Sequence, residues 1–146
     1  MESMQKVTLR NMELRSLANC KELANNSNPG SVVEVDLSFN KIDSCVGLAK
    51  FSGCTNLVLD NNSFSTLKTL PAFQGLSVLS LSNNSLRDLD GTLAAICSGC
   101  PRIQHLNLIG NPVNPMFSNP GKYVEFRAKI KIWLPSLDTL DGTDFN

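Results

Sequence analysis

The sequence predicts an α/β solenoid: a short parallel sheet lining a concave face, 3₁₀ turns and a helix on the convex side, and helical caps at its ends. Three observations carry that expectation. One apolar pattern recurs four times; within each copy it alternates as a strand does and then stops at an asparagine; and a helical apolar face follows the last copy.

Written L-x-x-L-x-L-x-x-N-x-L, the pattern is filled first by Val32, Val35, Leu37, Asn40 and Ile42, then by Cys54, Leu57, Leu59, Asn62 and Phe64. Leu76, Leu79, Leu81, Asn84 and Leu86 form the third copy, and Ile103, Leu106, Leu108, Asn111 and Val113 the fourth. The asparagines at 40, 62, 84 and 111 are spaced by 22, 22 and 27 residues, within the roughly 20–29-residue period of leucine-rich repeats. A weaker unit, Val7, Leu9, Met12 and Leu14, precedes them with methionine in the asparagine position. It is expected to be an N-terminal capping turn.

Side chains alternate along an extended backbone, so the second and third apolar positions of each copy share one side of a strand and become core. The asparagine that ends the strand can donate and accept at once, and is expected to satisfy buried main-chain groups of the tight coil. No copy can bury its apolar side alone, so the units stack and their strands pair into one parallel sheet. In the longest repeat, residues 88–97 (DLDGTLAAIC) predict a helix with Asp90 as N-cap and Leu93, Ala94 and Ile96 as its apolar positions. The 22-residue repeats have room only for 3₁₀-like turns.

Open solenoid ends expose core and an unpaired sheet edge, so both need cover. Residues 14–24 predict a helix ahead of the turn-rich NNSNPG. Residues 122–134 place Tyr123, Phe126, Ile130, Trp133 and Leu134 on one helical face, Pro135 stops the helix, and Leu137 and Leu140 resume the strand pattern. The expected organisation is a single domain over residues 1–146, with an N-terminal cap and turn (1–30), four repeats (31–113) and a C-terminal cap (114–146).

Thirteen basic and thirteen acidic residues cancel, which excludes the overall field that draws proteins to nucleic acid or anionic membranes. The opening MESMQKVTLRNMELRSL lacks the apolar core of a signal peptide, and no run approaches a membrane span. Five cysteines, an odd number, fit reduced thiols better than a disulfide framework. A cytoplasmic monomer is expected.

The segment LNLIGNPV, followed by YVEFRAKIKIWLPSLDTLDGTDF, resembles the C-terminal cap of the SDS22-like class of intracellular leucine-rich-repeat proteins. There a G-N-P precedes a tyrosine-containing helix and L-P-x-L-x-x-L-D. Within that class the low repeat number and the long ending are most similar to the leucine-rich melanocyte differentiation-associated proteins. The resemblance implies an adaptor and not an enzyme, with another protein as partner; for this subfamily it implies a trafficking factor or small GTPase of the Rab type. The alternative is a structural subunit of an axonemal, cytoskeletal, phosphatase or ribonucleoprotein assembly.

In this register the residues between core positions face the groove. One row is Lys6, Glu34, Asn56, Val78 and His105; the next Thr8, Asp36, Val58, Ser80 and Asn107; the third Arg10, Ser38, Asp60, Ser82 and Ile109. From these, Glu34, Asp36, Val58, Asp60, Val78, Ser80, His105, Asn107 and Ile109 are the candidate protein-binding residues. Phe39, directly before Asn40, is the candidate aromatic anchor at the rim. The loop Asn111-Gly121 holds Met116 and Phe117 among prolines, either as a flap over the last repeat or as a rival docking tip.

Other chemistries are poorly served. Cys97 and Cys100 form a C-x-x-C, but a tetrahedral metal needs four ligands and no second pair exists, so the cysteines read as small buried hydrophobes. His105 shares an open face with Asp60 and Ser80, without a pocket or oxyanion donors for catalysis. No phosphate-binding glycine loop or acidic metal cluster occurs, and no cofactor is expected. Lys122, Arg127, Lys129 and Lys131 read as the solvated face of the last helix, not as a nucleic-acid stripe.

Overall fold

The computed structural model describes residues 5–145. Its strands lie in one sheet in chain order: β1 (Gln5–Thr8), β2 (Val32–Asp36), β3 (Asn56–Val58), β4 (Val78–Ser80), β5 (His105–Asn107), β6 (Thr139–Leu140) and β7 (Thr143–Asp144). The first six run parallel, and β7 turns back antiparallel on β6. Val35, Leu57, Leu79, Leu106 and Leu140 stand side by side in this register, each at most 2% exposed. The leucine-rich-repeat solenoid predicted from the spacing is the observed fold.

The convex side is built from three-residue steps. Carbonyls of Cys45, Leu48 and Phe51 accept from the amides of Leu48, Phe51 and Cys54, each at 3.0 Å, so every third side chain points inward, as a 3₁₀ path requires. The same period explains a departure near the N-terminus. Leu17, Cys20 and Leu23 are all buried, and the helix expected over 14–24 is instead a 3₁₀ turn at Leu17–Asn19 and a single turn, α1 (Lys21–Ala24), separated by an extended Cys20.

Each ladder asparagine ties its own turn to the repeat before it. Asn84 donates from Nδ2 to the carbonyls of Leu59 and Leu81, both at 3.0 Å, and accepts from the amide of Phe64 at 3.0 Å. Asn62 and Asn111 bridge in the same way. Asn40, Asn84 and Asn111 are buried, whereas Asn62 stays half-buried. Because the bridge reaches back one repeat, the turn after β1 is closed by Asn40, which accepts from the amides of Met12 and Leu14 and donates to the Leu9 carbonyl. The unit around Val7 is therefore a paired strand and not merely a capping turn, and position 12 needs no asparagine.

In the longest repeat α2 (Leu89–Gly99) is capped by Asp88, whose carboxylate accepts from the amide of Gly91 at 3.1 Å. The cap is thus two residues earlier than expected, and with Thr92, Leu93 and Ile96 buried the helical period leaves Ala94 exposed on the outer side. Asp90, not needed as a cap, pairs with Lys129 at 2.6 Å on α3 (Pro120–Trp133).

The C-terminal cap closes on one carboxylate. Phe126 and Ile130 of α3, with Leu134, cover the end of the core, while Asp141 is buried and accepts from the Leu108 amide at 2.7 Å, Asn114 Nδ2 at 2.8 Å and the Tyr123 hydroxyl at 2.7 Å. The tyrosine and aspartate of the cap motif are therefore bonded to each other. The basic face expected on α3 to be merely solvated is largely tied down. Arg127 donates to the carbonyls of Leu140, Thr143 and Asp144 and stacks on Phe145, and Lys131 donates to those of Pro135 and Leu137.

Two outcomes test this account. Asn84→Ala should lower the free energy of unfolding in urea by about 1–3 kcal/mol, since it leaves buried main-chain groups unpaired. Tyr123→Phe, which removes one donor to buried Asp141 without changing the ring, should cost about 1–3 kcal/mol by the same measurement; an unchanged midpoint would mean that the cap does not depend on this bond.

Candidate functional site

Strand pairing sets the open face by register alone. Lys6, Glu34, Asn56, Val78 and His105 stand in one row, and Thr8, Asp36, Val58, Ser80 and Asn107 in the next, as the sequence spacing predicts, and Thr139 of β6 extends the first row. Glu34, Asp36, Val58, Asp60, Val78, Ser80, His105, Asn107 and Ile109 are all half-buried, as side chains lying on a curved sheet are. Ser38 is the exception in the third row. It is 2% exposed, because its hydroxyl is held between Asp36 Oδ1 at 2.7 Å and Arg10 Nε at 2.9 Å.

Charge on the face is partly compensated within it. Lys6 lies 3.7 Å from Glu34 and Arg10 3.8 Å from Asp36. Asp60 Oδ1 accepts from the Ser80 hydroxyl at 2.6 Å and the Ser82 amide at 2.9 Å. His105 Nδ1 is 2.8 Å from Thr139 Oγ1, so the imidazole is oriented by β6, and the Ser80 hydroxyl is engaged with Asp60. Val78, Ser80, His105, Asn107, Thr139 and Gly142 line a shallow depression at the C-terminal end of the face.

A ridge borders the groove where the strands end. The residue before the ladder position takes a left-handed backbone in every unit: Asn11, Phe39, Asn61 and Asn83 have φ between 55° and 59°, and Gly110 has φ 79°. Asparagine and glycine tolerate this region, whereas a bulky residue rarely occupies it. A Cβ at position 110 would also fall 2.0 Å from Asn83 Oδ1, so the glycine of the G-N-P motif answers both φ and space. Phe39 alone breaks the pattern. Its side chain is 49% exposed, with the Arg10 guanidinium 5.5 Å from the ring centroid. At the other end of the ridge Phe117 is 81% exposed beside Asn84, Gly110 and Asn111, while its neighbour Met116 is half-buried.

No protein-family profile matches the chain. The human leucine-rich melanocyte differentiation-associated protein is 30% identical over 104 residues, covering 68% of this chain and 52% of that protein. The acidic leucine-rich nuclear phosphoprotein 32 family member A of Drosophila melanogaster is 31% identical over 134 residues, covering 79% of this chain and 50% of that protein. The chain spans about half the length of the curated relatives it matches. A solved structure, the Drosophila melanogaster SNF/U2A' complex, contains a chain that superposes with a TM-score of 0.72 at 18% identity, covering all of this chain and 80% of that one. This chain is a leucine-rich-repeat protein.

What sequence reasoning missed in this leucine-rich-repeat protein follows from side-chain contacts across repeats. The burial of Ser38 depends on Arg10, 28 residues away, and no local pattern announces it. The ridge was legible in part, since the N-N, N-N and G-N pairs before the turns mark a left-handed position.

Cys97 also departs from expectation. Cys20, Cys45, Cys54 and Cys100 are buried, but Cys97 is exposed, because the buried positions 92, 93, 96 and 99 of α2 leave residue 97 on its outer side. Burial pushes the thiols of Cys45 and Cys100 up to about 12 and that of Cys54 up to about 11. Since the thiolate is the reactive form, a disulfide reagent at neutral pH should modify Cys97 quickly in the folded protein. The other four should follow only after denaturant is added, as read by absorbance and mass spectrometry. Rapid native labelling of Cys45 or Cys54 would contradict this core.

Proposed function

We propose that this chain is a non-enzymatic, protein-binding adaptor that takes its partner on the concave face, with Phe39 as the anchor at its rim. The observation that carries the reading is the backbone of Phe39. The corresponding turn position in the other units holds asparagine or glycine, and a residue held in a sparsely populated region costs of order 1–3 kcal/mol. Phe39 adds half-exposed apolar surface to that cost and is not part of the buried core. Glu13 shares the left-handed backbone and the exposure, but at Phe39 the exposed group is a large apolar ring, which supports a contact made outside the folded chain.

Further support comes from the face itself. Val58 and Val78 form a small apolar floor, and polar groups already oriented by Asp60, His105 and Asn107 surround it. The solved neighbour is a chain in a complex of two proteins, which favours a protein as the ligand. On this reading residues 1–146 act as one unit, a cytoplasmic monomer whose partner is a small GTPase or trafficking factor, as the likeness to the melanocyte differentiation-associated protein suggests. The word nuclear in the other relatives' name makes the nucleus the alternative compartment. No described helix is long and apolar enough to cross a membrane.

Phe39→Asn separates a binding role from a structural one. It should raise stability in urea by about 0.5–1 kcal/mol, since asparagine accepts the left-handed backbone, and should sharply reduce recovery of the partner from the native cell. The pair Val58→Glu with Val78→Arg should abolish recovery with little change in unfolding. Retention of the partner by both variants, with its loss when Met116 and Phe117 are made polar, would move the interface to the loop Asn111-Gly121.

A further inference from the structure

Among the described residues of β1–β5 and the turns that follow them, one carboxylate of the open face has no cationic partner. Of the face's acidic side chains, Glu34 and Asp36 have Lys6 and Arg10 as partners, whereas no cation of the described residues lies within ion-pair distance of Asp60. Asp60 is nevertheless fixed. Its Oδ1 accepts from Ser80 Oγ and from the Ser82 amide, which locks the carboxylate in place and leaves Oδ2 without a described donor.

The surroundings are specific. Two residues earlier on the same side is Val58, Val78 lies on the adjacent strand, and the Asp60 carbonyl accepts from the amide of Phe39 at 3.0 Å. The carboxylate therefore sits between an apolar floor and an exposed aromatic rim. A partner that spans from the valines to the Phe39 rim covers Asp60, and an ionised carboxylate removed from water without a counter-charge is strongly unfavourable. A guanidinium or ammonium satisfies the carboxylate by a charge-assisted bond, and its stem can lie on apolar surface.

We infer that Asp60 is the docking point for a basic side chain of the partner, an arginine or lysine flanked by apolar residues that rest on Val58 and Val78. This inference depends on the concave-face reading and adds the chemistry of the ligand to it. It also excludes an acidic partner surface from the centre of the groove.

A displayed random-peptide library selected on the wild-type protein, with the Val58→Glu, Val78→Arg variant as counter-screen, tests the two readings separately. Asp60→Asn keeps an oxygen to accept from Ser80 and Ser82, so the fold is expected to persist, and circular dichroism with urea unfolding checks it. Groove-dependent peptides should be enriched in one arginine or lysine between apolar residues. A selected peptide should bind the wild type about tenfold more tightly than its form with citrulline in place of arginine, or norleucine in place of lysine, and Asp60→Asn should bind both forms alike. Groove-dependent peptides without a basic residue, or a charge preference that survives in Asp60→Asn, would overturn the inference and leave the concave-face reading standing. A selection that yields only peptides indifferent to the valine substitutions would overturn both.

Discussion

The carboxamide of the ladder asparagine is the group on which the rest of this molecule depends. A coil of 22 residues turns too tightly for its main-chain donors and acceptors to find one another, and water is excluded by the leucines beneath. Only a short side chain that donates and accepts at once can serve the carbonyls of two successive turns and an amide of the earlier one. Asn84 does so at 3.0 Å on each contact. The strands are held in register by these bridges as much as by their own short ladders, since three of the strands are only three residues long.

The same demand changes form at the end of the solenoid. After β6 the side chain that reaches back is an aspartate, and a carboxylate accepts but cannot donate. Three donors converge on Asp141 from the last repeat, the following loop and α3, which fastens the cap to the core. Burial and the neighbouring carboxylate push the Tyr123 phenol up to about 12, so it remains a donor across the physiological range.

Once bridges and caps fix the sheet, the outward side chains are released from folding. Their identities then record something other than packing, and the contrast between positions is informative. Lys6 and Arg10 neutralise carboxylates beside them, Asp60 has no such neighbour among the described residues, and Phe39 occupies a backbone conformation that asparagine or glycine would adopt with less strain. Asp60 serves the fold through Ser80 and the Ser82 amide, whereas the exposed ring of Phe39 adds nothing to the buried core.

Periodicity determined the most. The core positions of the repeats, the strand register and the first two rows of the open face were readable, because alternation along a strand and the recurrence of asparagine are one-dimensional signals that geometry converts directly into facing. The helix starts were less legible. Asp88 and Asp90 are both plausible caps, and only the burial of Leu93 and Ile96 against the sheet selects the phase that makes Asp88 the cap. The N-terminal segment 14–24 has apolar residues that fit either helical period, and packing on the first repeat chose the tighter one. Tertiary structure alone decided the burial of Ser38, the exposure of Cys97, the folding back of Arg127 and Lys131 onto strand-end carbonyls, and the pairing of Tyr123 with Asp141. Each joins residues that no local pattern relates, and their distances became defined only when the repeats stacked.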